Sequence, residues 1–211
     1  MQTQRALPTH GGFSLLELLI VLAVFSFIVG GIFNNLTQSQ TRYQFEQEVA
    51  EVQQTARNAV DIMEREIKLA GFPIPSYYDS ALNWTSANSE RVAAGFITLG
   101  ATNLAFEADL LEDGIVDRVE YNLAGGTGGT LARSARDKLA GGGAPAAVWQ
   151  LLASNVVALT FTYLDSTGTV TATPSQVRFV QILLSLNTTN VDPQNRQRRT
   201  ITIQTRAAVR N

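Results

Sequence analysis

A run of apolar residues near the N-terminus constrains this chain more than any other feature. Residues 13–33 read FSLLELLIVLAVFSFIVGGIF, and their polar side chains are Ser14, Glu17 and Ser26. About 20 consecutive apolar residues in helical form are long enough to span the hydrocarbon core of a bilayer. The sequence therefore predicts a membrane-spanning helix at this end of the chain.

The residues before the run indicate its orientation. Residues 1–12 are short and polar and include Arg5, and a basic flank favours the cytoplasmic side of a membrane. We therefore expect the N-terminus in the cytoplasm and the rest of the chain in the periplasm or outside the cell. An ordinary secretory signal is cleaved after its apolar segment, next to small residues. Here a glycine pair, Gly11 and Gly12, stands directly before the segment instead.

This arrangement resembles the leader and N-terminal helix of type IV prepilins and of the pseudopilins of type II secretion. The shared motif is a glycine, then Phe, Ser or Thr, Leu, any residue and Glu, and it is met here by Gly12, Phe13 and Glu17. The resemblance implies that a prepilin peptidase of the inner membrane cuts between Gly12 and Phe13. It also implies that Phe13 is then N-methylated and that Glu17 takes part in assembly.

The cost of burying a charge gives an independent reason to expect a partner for Glu17. A carboxylate near one end of a membrane-spanning helix costs about 1–3 kcal/mol. Cleavage would free a positively charged α-amine at Phe13, and in a stack of such helices one amine can neutralise the Glu17 of a neighbour. The alternative is a carboxylate that reaches the membrane interface without a partner.

Apolar residues continue beyond the run at spacings of three and four, which predicts that the helix extends with one apolar face. Gly71 and Pro73 predict its end after Ala70, because glycine suits the position after a helix and proline cannot continue it. We expect a membrane or filament-core half, residues 13–36, and an amphipathic half, residues 37–70, that packs on a globular domain. The ion pairs predicted on the charged face are Asp61–Arg65 and Glu64–Lys68.

One departure from the resemblance concerns the apolar half. Major pilins commonly carry a proline late in this run, whereas this chain has Gly30 and Gly31. Paired glycines also weaken a helix, so the sequence leaves open whether the helix kinks or melts there on assembly.

After Gly71 the chain becomes strand-like, which predicts a periplasmic or extracellular globular domain of residues 71–211 built on an antiparallel sheet. Helix and sheet together make an α+β fold, and the resemblance implies the type IV pilin-like form of it. Residues 176–187 carry apolar side chains on both faces, so we expect this strand to lie centrally under the helix. The predicted strands are residues 95–99, 103–107, 115–122, 155–164, 176–187 and 199–209.

A glycine-rich segment, residues 124–146, interrupts these predicted strands. Its glycine spacing matches neither the phosphate-binding loop nor the dinucleotide-binding fingerprint. We therefore expect a flexible surface loop.

Residues 109–120 admit two interpretations. Their acidic side chains fall at ligand positions of a calcium-binding loop, with Gly114 at the turn position. However, Leu111 occupies another ligand position and helices do not flank the segment, so a hairpin with its turn at residues 112–114 and no bound metal is the favoured interpretation. The candidate calcium ligands are Asp109, Asp113, Asp117 and Glu120.

Composition argues against several classes of function. The chain has no cysteine, and its single histidine, His10, lies in the leader, so the cleaved chain lacks Ser-His, Cys-His and imidazole or thiolate zinc sites. We expect no enzymatic activity and no cofactor. With a net charge of −2, nucleic acid is not an expected partner. The cluster Arg196, Arg198 and Arg199 is interpreted as a solvated turn.

Looser resemblances concern residues 57–72, 148–165 and 207–211, which are similar to PilW-type minor pilins. They imply a subunit that helps to initiate type IV pilus assembly, stays at or near the pilus tip and serves adhesion and twitching motility. The implied partners are the prepilin peptidase, other minor pilins, the major pilin and the assembly platform of the inner membrane. The alternative is a J-type minor pseudopilin of a type II secretion system.

Overall fold

The computed structural model describes Gly12, residues 14–126 and residues 128–210. The predictions for residues 1–11 and for Phe13 fall outside these described residues. The chain forms two compact units, Met1–Gln44 and Phe45–Asn211. Each unit is described separately below.

One helix, α1, extends from Leu15 to Lys68 and confirms the predicted helix, although it ends two residues before Ala70. The backbone carbonyl of Ser14 accepts a hydrogen bond from the amide of Leu18 at 3.1 Å, which begins the helical series. Gly71 follows the helix with φ at +87°, in the left-handed region that favours glycine. The helix is unbroken at Gly30 and Gly31.

The described part of the first unit contains the apolar half of α1. From Leu15 to Leu36 its large apolar side chains other than Val29 are exposed, with exposed fractions from 51% at Leu36 to 86% at Phe27. The helix is long and apolar enough to cross a membrane, and the apolar stretch has none of its residues buried. These side chains require a lipid or protein environment.

The second unit contains the rest of α1 and a seven-stranded antiparallel sheet. Each strand pairs with the strands before and after it along the chain, so the order in the sheet is the order in the sequence. The strands are β1 (Phe96–Leu99), β2 (Asn103–Ala108), β3 (Asp117–Ala124), β4 (Gly129–Asp137), β5 (Gln150–Leu164), β6 (Phe179–Asn187) and β7 (Thr200–Ala208).

The core of this unit lies between one face of α1 and one face of the sheet. The helix contributes small residues and then larger ones, all with at most 2% of their surface exposed. This spacing of three and four places one stripe against the sheet. The α+β fold predicted from the sequence is confirmed. The helical residues of the core include Ala56, Ala59, Val60, Met63 and Ile67, and the strand residues include Phe106, Tyr121, Leu131, Ile182 and Leu184.

The prediction of a flexible loop over residues 124–146 was wrong in its central part, because β4 occupies Gly129–Asp137. The residues 131–136, LARSAR, show little apolar alternation, since one of the side chains on the core-facing side is Arg133. Arg133 forms two hydrogen bonds with Glu66 of α1, at 2.9 and 2.6 Å. A charged residue with a partner on the helix thus hid the strand pattern.

The expectation of a central position for the strand of residues 176–187 was also wrong. The corresponding strand, β6, is second from the sheet edge and pairs with β5 and β7. It has buried side chains on one face, whereas Phe179, Gln181 and Leu183 on the other are partly exposed. The sequence of β6 has apolar residues on both faces, but only one face packs in the core. The buried residues of that face are Val180, Ile182, Leu184 and Leu186.

A buried ion pair fixes the segment between α1 and β1 to the sheet. Lys138 Nζ donates to Glu107 Oε2 at 2.7 Å and to the carbonyl of Val92 at 2.8 Å. The amide of Ala94 donates to the same Glu107 oxygen at 2.8 Å. The Lys138 side chain has no exposed surface, so its charge depends on these partners.

Candidate processing and assembly site

The start of α1 sets the geometry around Glu17. Ser14 occupies the N-cap, since its carbonyl accepts the first helical hydrogen bond, and Glu17 is the third residue of the helix. Ser at the N-cap with Glu three residues later is the spacing of a capping box. The Ser-x-x-Glu spacing was available in the sequence, but the role of Ser14 was not predicted.

The position of Glu17 at the start of the helix also affects the energy of its carboxylate. Backbone amides at a helix N-terminus carry partial positive charge, and a carboxylate there gains about 0.3–1 kcal/mol. This gain is smaller than the cost of about 1–3 kcal/mol for a carboxylate near the end of a membrane-spanning helix. The helix end therefore offsets part of the cost of this carboxylate in an apolar environment.

The residues on either side of Phe13 are accessible. Gly12 and Ser14 are both exposed. A Cβ atom added at Gly12 would meet no other atom within 4 Å. The predicted cleavage point is thus flanked by open backbone, which suits access by a peptidase.

Glu17 lies among exposed apolar side chains. Leu16 and Leu18, its neighbours in sequence, are 68% and 58% exposed, and Leu15 is 76% exposed. Residues 8–33 match the prokaryotic N-terminal methylation motif. The match includes all three residues predicted to act in processing and assembly, Gly12, Phe13 and Glu17.

The methylation motif indicates a type IV pilin or pseudopilin-type protein with a prepilin leader. It implies processing by prepilin peptidase, and together with the single apolar helix near the N-terminus it indicates a membrane anchor. No curated protein matches this chain.

The candidate calcium ligands mainly serve their own hairpin. Asp109 Oδ2 accepts a hydrogen bond from the amide of Gly114, and Asp117 Oδ2 accepts one from the amide of Leu110, both at 3.1 Å. Asp113 Oδ1 caps the amide two residues later, at 2.9 Å. These bonds stabilise the turn of the hairpin formed by β2 and β3.

The fourth candidate ligand has a different environment. Glu120 Oε1 accepts hydrogen bonds from Arg118 Nε at 3.1 Å and from Arg136 Nη2 at 2.7 Å. In the described part of the chain, no group of three or more acidic, histidine or cysteine side chains is placed to hold a metal ion. Calcium binding stays a prediction from the sequence register.

Carboxylates of α1 also hold the segment between β6 and β7. Glu48 accepts hydrogen bonds from the amides of Thr189 and Asn190 and from the Asn190 side chain. Burial acts to raise the pKa of Glu48, but the hydrogen bonds from Asn190 and Thr189 outweigh it, so the pKa lies below its usual value. In the predicted basic turn, Arg199 lies 3.6 Å from Glu46.

Proposed function

We propose that this chain is a PilW-type minor pilin that helps to initiate assembly of a type IV pilus and stays at or near its tip. The observation that supports the pilin-like part of the proposal is the methylation motif of residues 8–33, and the exposed apolar helix that begins at Leu15 has Glu17 in its first turn. The looser resemblances in the globular domain favour a minor pilin over the J-type pseudopilin of type II secretion.

The proposed mechanism begins with cleavage between Gly12 and Phe13. The new α-amine of Phe13 carries the positive charge that Glu17 requires, and the amine of one subunit neutralises Glu17 of its neighbour. The apolar half of α1 moves from lipid to the neighbouring helices of the filament. Removing one large apolar side chain from water contributes about 1.5–3 kcal/mol, so the apolar half of α1 is more stable in lipid or in the filament than in water.

The proposed role is structural rather than catalytic. The cleaved chain would have neither histidine nor cysteine, since His10 belongs to the leader. Its partners are the prepilin peptidase, other minor pilins, the major pilin and the assembly platform of the inner membrane. Its domain lies in the periplasm before assembly and at the cell surface afterwards.

The charge of Glu17 is tested with three variants of the full chain in cells. Glu17→Leu is expected to abolish incorporation into sheared pili, because the neighbouring amine loses its partner, whereas Glu17→Asp should keep most of it. Asp61→Asn is the matched control, because it removes an exposed carboxylate from the amphipathic half of the same helix. Immunoblots of the pilus and membrane fractions measure incorporation.

Intact-mass measurement of the protein extracted from membranes tests processing. We expect a chain that begins at Phe13 and carries one methyl group, and Gly12→Leu should retain the leader. A native chain that still contains Met1 and enters pili would contradict the proposal. Deletion of the gene should abolish surface pili, whereas normal piliation with lost protein secretion would favour the pseudopilin.

A further inference from the structure

A polar groove lies on the sheet face turned away from α1. Side chains alternate between the two faces of a strand. Phe106 and Tyr121 point into the core, where the Tyr121 hydroxyl donates to Glu66 of α1. Their sequence neighbours Ala105 and Glu120, which are paired across β2 and β3, therefore point to the opposite face.

The groove has a volume of about 280 Å³, and Trp149 is one of the residues that line it. Ala105, another lining residue, has a small side chain, which leaves space above the strands. This volume is close to the lower end of about 300 Å³ for small-molecule sites. The polar side chains that line it are Thr98, Asn103, Glu120 and Asn122.

The two asparagines of the groove are held on paired strands. Asn103 of β2 lies directly opposite Asn122 of β3. The Asn103 side chain also lies over Gly100, where a Cβ atom would be 1.7 Å from Asn103 Oδ1. The missing side chain at Gly100 therefore permits this position of the Asn103 amide.

Glu120 is oriented in the groove by two arginines. Arg118 and Arg136 both donate to Oε1, so neither of these bonds uses the second oxygen, Oε2. Their charges offset that of the carboxylate. Among the side chains that line the groove, Glu120 carries a charge and the other polar ones are neutral, which favours a neutral polar ligand over an anionic one.

Trp149 supplies an apolar surface beside these polar groups. It precedes β5 directly and is 45% exposed, although it is one of the largest apolar side chains. An indole has a flat apolar face and one N–H donor. Pyranose sugars match this combination, because one face of the ring presents C–H groups and the rim presents hydroxyls that pair with amides and carboxylates.

We propose that this groove binds one neutral hexose or N-acetylhexosamine ring of a glycan. Trp149 stacks on the C–H face of the ring, while Asn103, Asn122 and Glu120 bind its hydroxyls. The base of a nucleotide would also stack on Trp149, but the lining contains no lysine or arginine for its phosphate, and the adjacent Arg118 and Arg136 are bonded to Glu120. The inference concerns the globular domain and does not depend on filament assembly.

The test uses the full chain in a polyoxyethylene detergent, since maltoside detergents carry sugar head groups. The chain has two tryptophans, so Trp84→Phe makes Trp149 the only indole and provides the parent protein. Methyl glucoside, methyl galactoside and N-acetylglucosamine are titrated separately to about 50 mM, well above the Kd of about 1 mM expected for so small a contact. Tryptophan fluorescence and saturation-transfer NMR report binding.

We expect saturable binding of at least one sugar by the parent protein, with a change in Trp149 fluorescence. Asn103 is exposed, so Asn103→Ala should preserve the fold and weaken binding about tenfold. Trp149→Ala should remove the saturation-transfer signal. Absence of saturable binding for all three sugars, or binding unchanged by Asn103→Ala and Trp149→Ala, would overturn the proposal.

Discussion

The two halves of α1 share one continuous helix and differ in what surrounds their apolar side chains. From Leu15 to Leu36 these side chains are at least half exposed, with Val29 as a partly buried exception. From Ala56 to Ile67 the core-facing side chains are at most 2% exposed. The first half depends on an environment outside the chain, whereas the second obtains its apolar environment from the sheet.

The largest expected effect comes from a truncation in the second half. Met63 is fully buried, so Met63→Ala should lower the free energy of unfolding by about 2–5 kcal/mol through lost contacts and a residual cavity. Ile32, in the first half, is 61% exposed, and Ile32→Ala should change it by less than about 0.5 kcal/mol. Denaturant unfolding of the full chain in detergent, followed by tryptophan fluorescence, measures both. Equal effects would break the contrast between the halves.

A smaller effect is expected at the ion pair between α1 and β4. Glu66→Gln removes the charge that Arg133 contacts and should lower the free energy of unfolding by about 2–3 kcal/mol. This is below the range for fully buried pairs, because both side chains keep about 15% exposure. Glu51→Gln removes an exposed carboxylate from the same helix and serves as the control. If both variants unfold at the same denaturant concentration, the pair does not hold the helix on the sheet.

The pH dependence of stability should depend in part on Glu48. Its pKa is lower in the folded chain, so this group stabilises the fold above the ordinary glutamate pKa of about 4.3, and that contribution is lost as the pH falls through the folded pKa. Glu48→Gln should lower stability near neutral pH by about 1 kcal/mol. The difference from the unchanged chain should shrink as the pH falls below about 5 in unfolding titrations. A difference that grows on acidification would contradict the hydrogen-bonded arrangement.

The smallest expected effect is at the surface of the second half. Of the two predicted ion pairs, Glu64–Lys68 is present at 2.6 Å, whereas Asp61 and Arg65 do not form a pair in the described structure. Hydrogen bonding from Lys68 and Thr205 lowers the pKa of Glu64. Lys68→Ala should lower the free energy of unfolding by about 0.3–0.5 kcal/mol, and Arg65→Ala should lower it by less. In high salt, the same unfolding measurement should show a smaller effect of Lys68→Ala, because salt screens the charges of a surface ion pair.

The sequence predicted those elements whose signal is local. In the helix, the signals are the apolar run of residues 13–33, the apolar face that ends at Ile67 and the stop at Gly71, and each is formed by residues close together in sequence. Six of the seven strands likewise show β-branched residues or apolar alternation within a few positions. The missing strand, β4, has glycine-rich neighbours and Arg133 on its core side. That arginine is compatible with the core only because Glu66 faces it, and the two residues are 67 positions apart.

For the candidate site, the sequence by itself determined the motif around Gly12, Phe13 and Glu17, because consecutive residues carry all of its chemistry. The tertiary structure alone decided which strands are neighbours, where Arg133 and Lys138 find their counter-charges and how Asn103, Asn122 and Trp149 come together. Such contacts join residues far apart along the chain. Their energies depend on burial and on the orientation of both partners, which a local pattern does not contain.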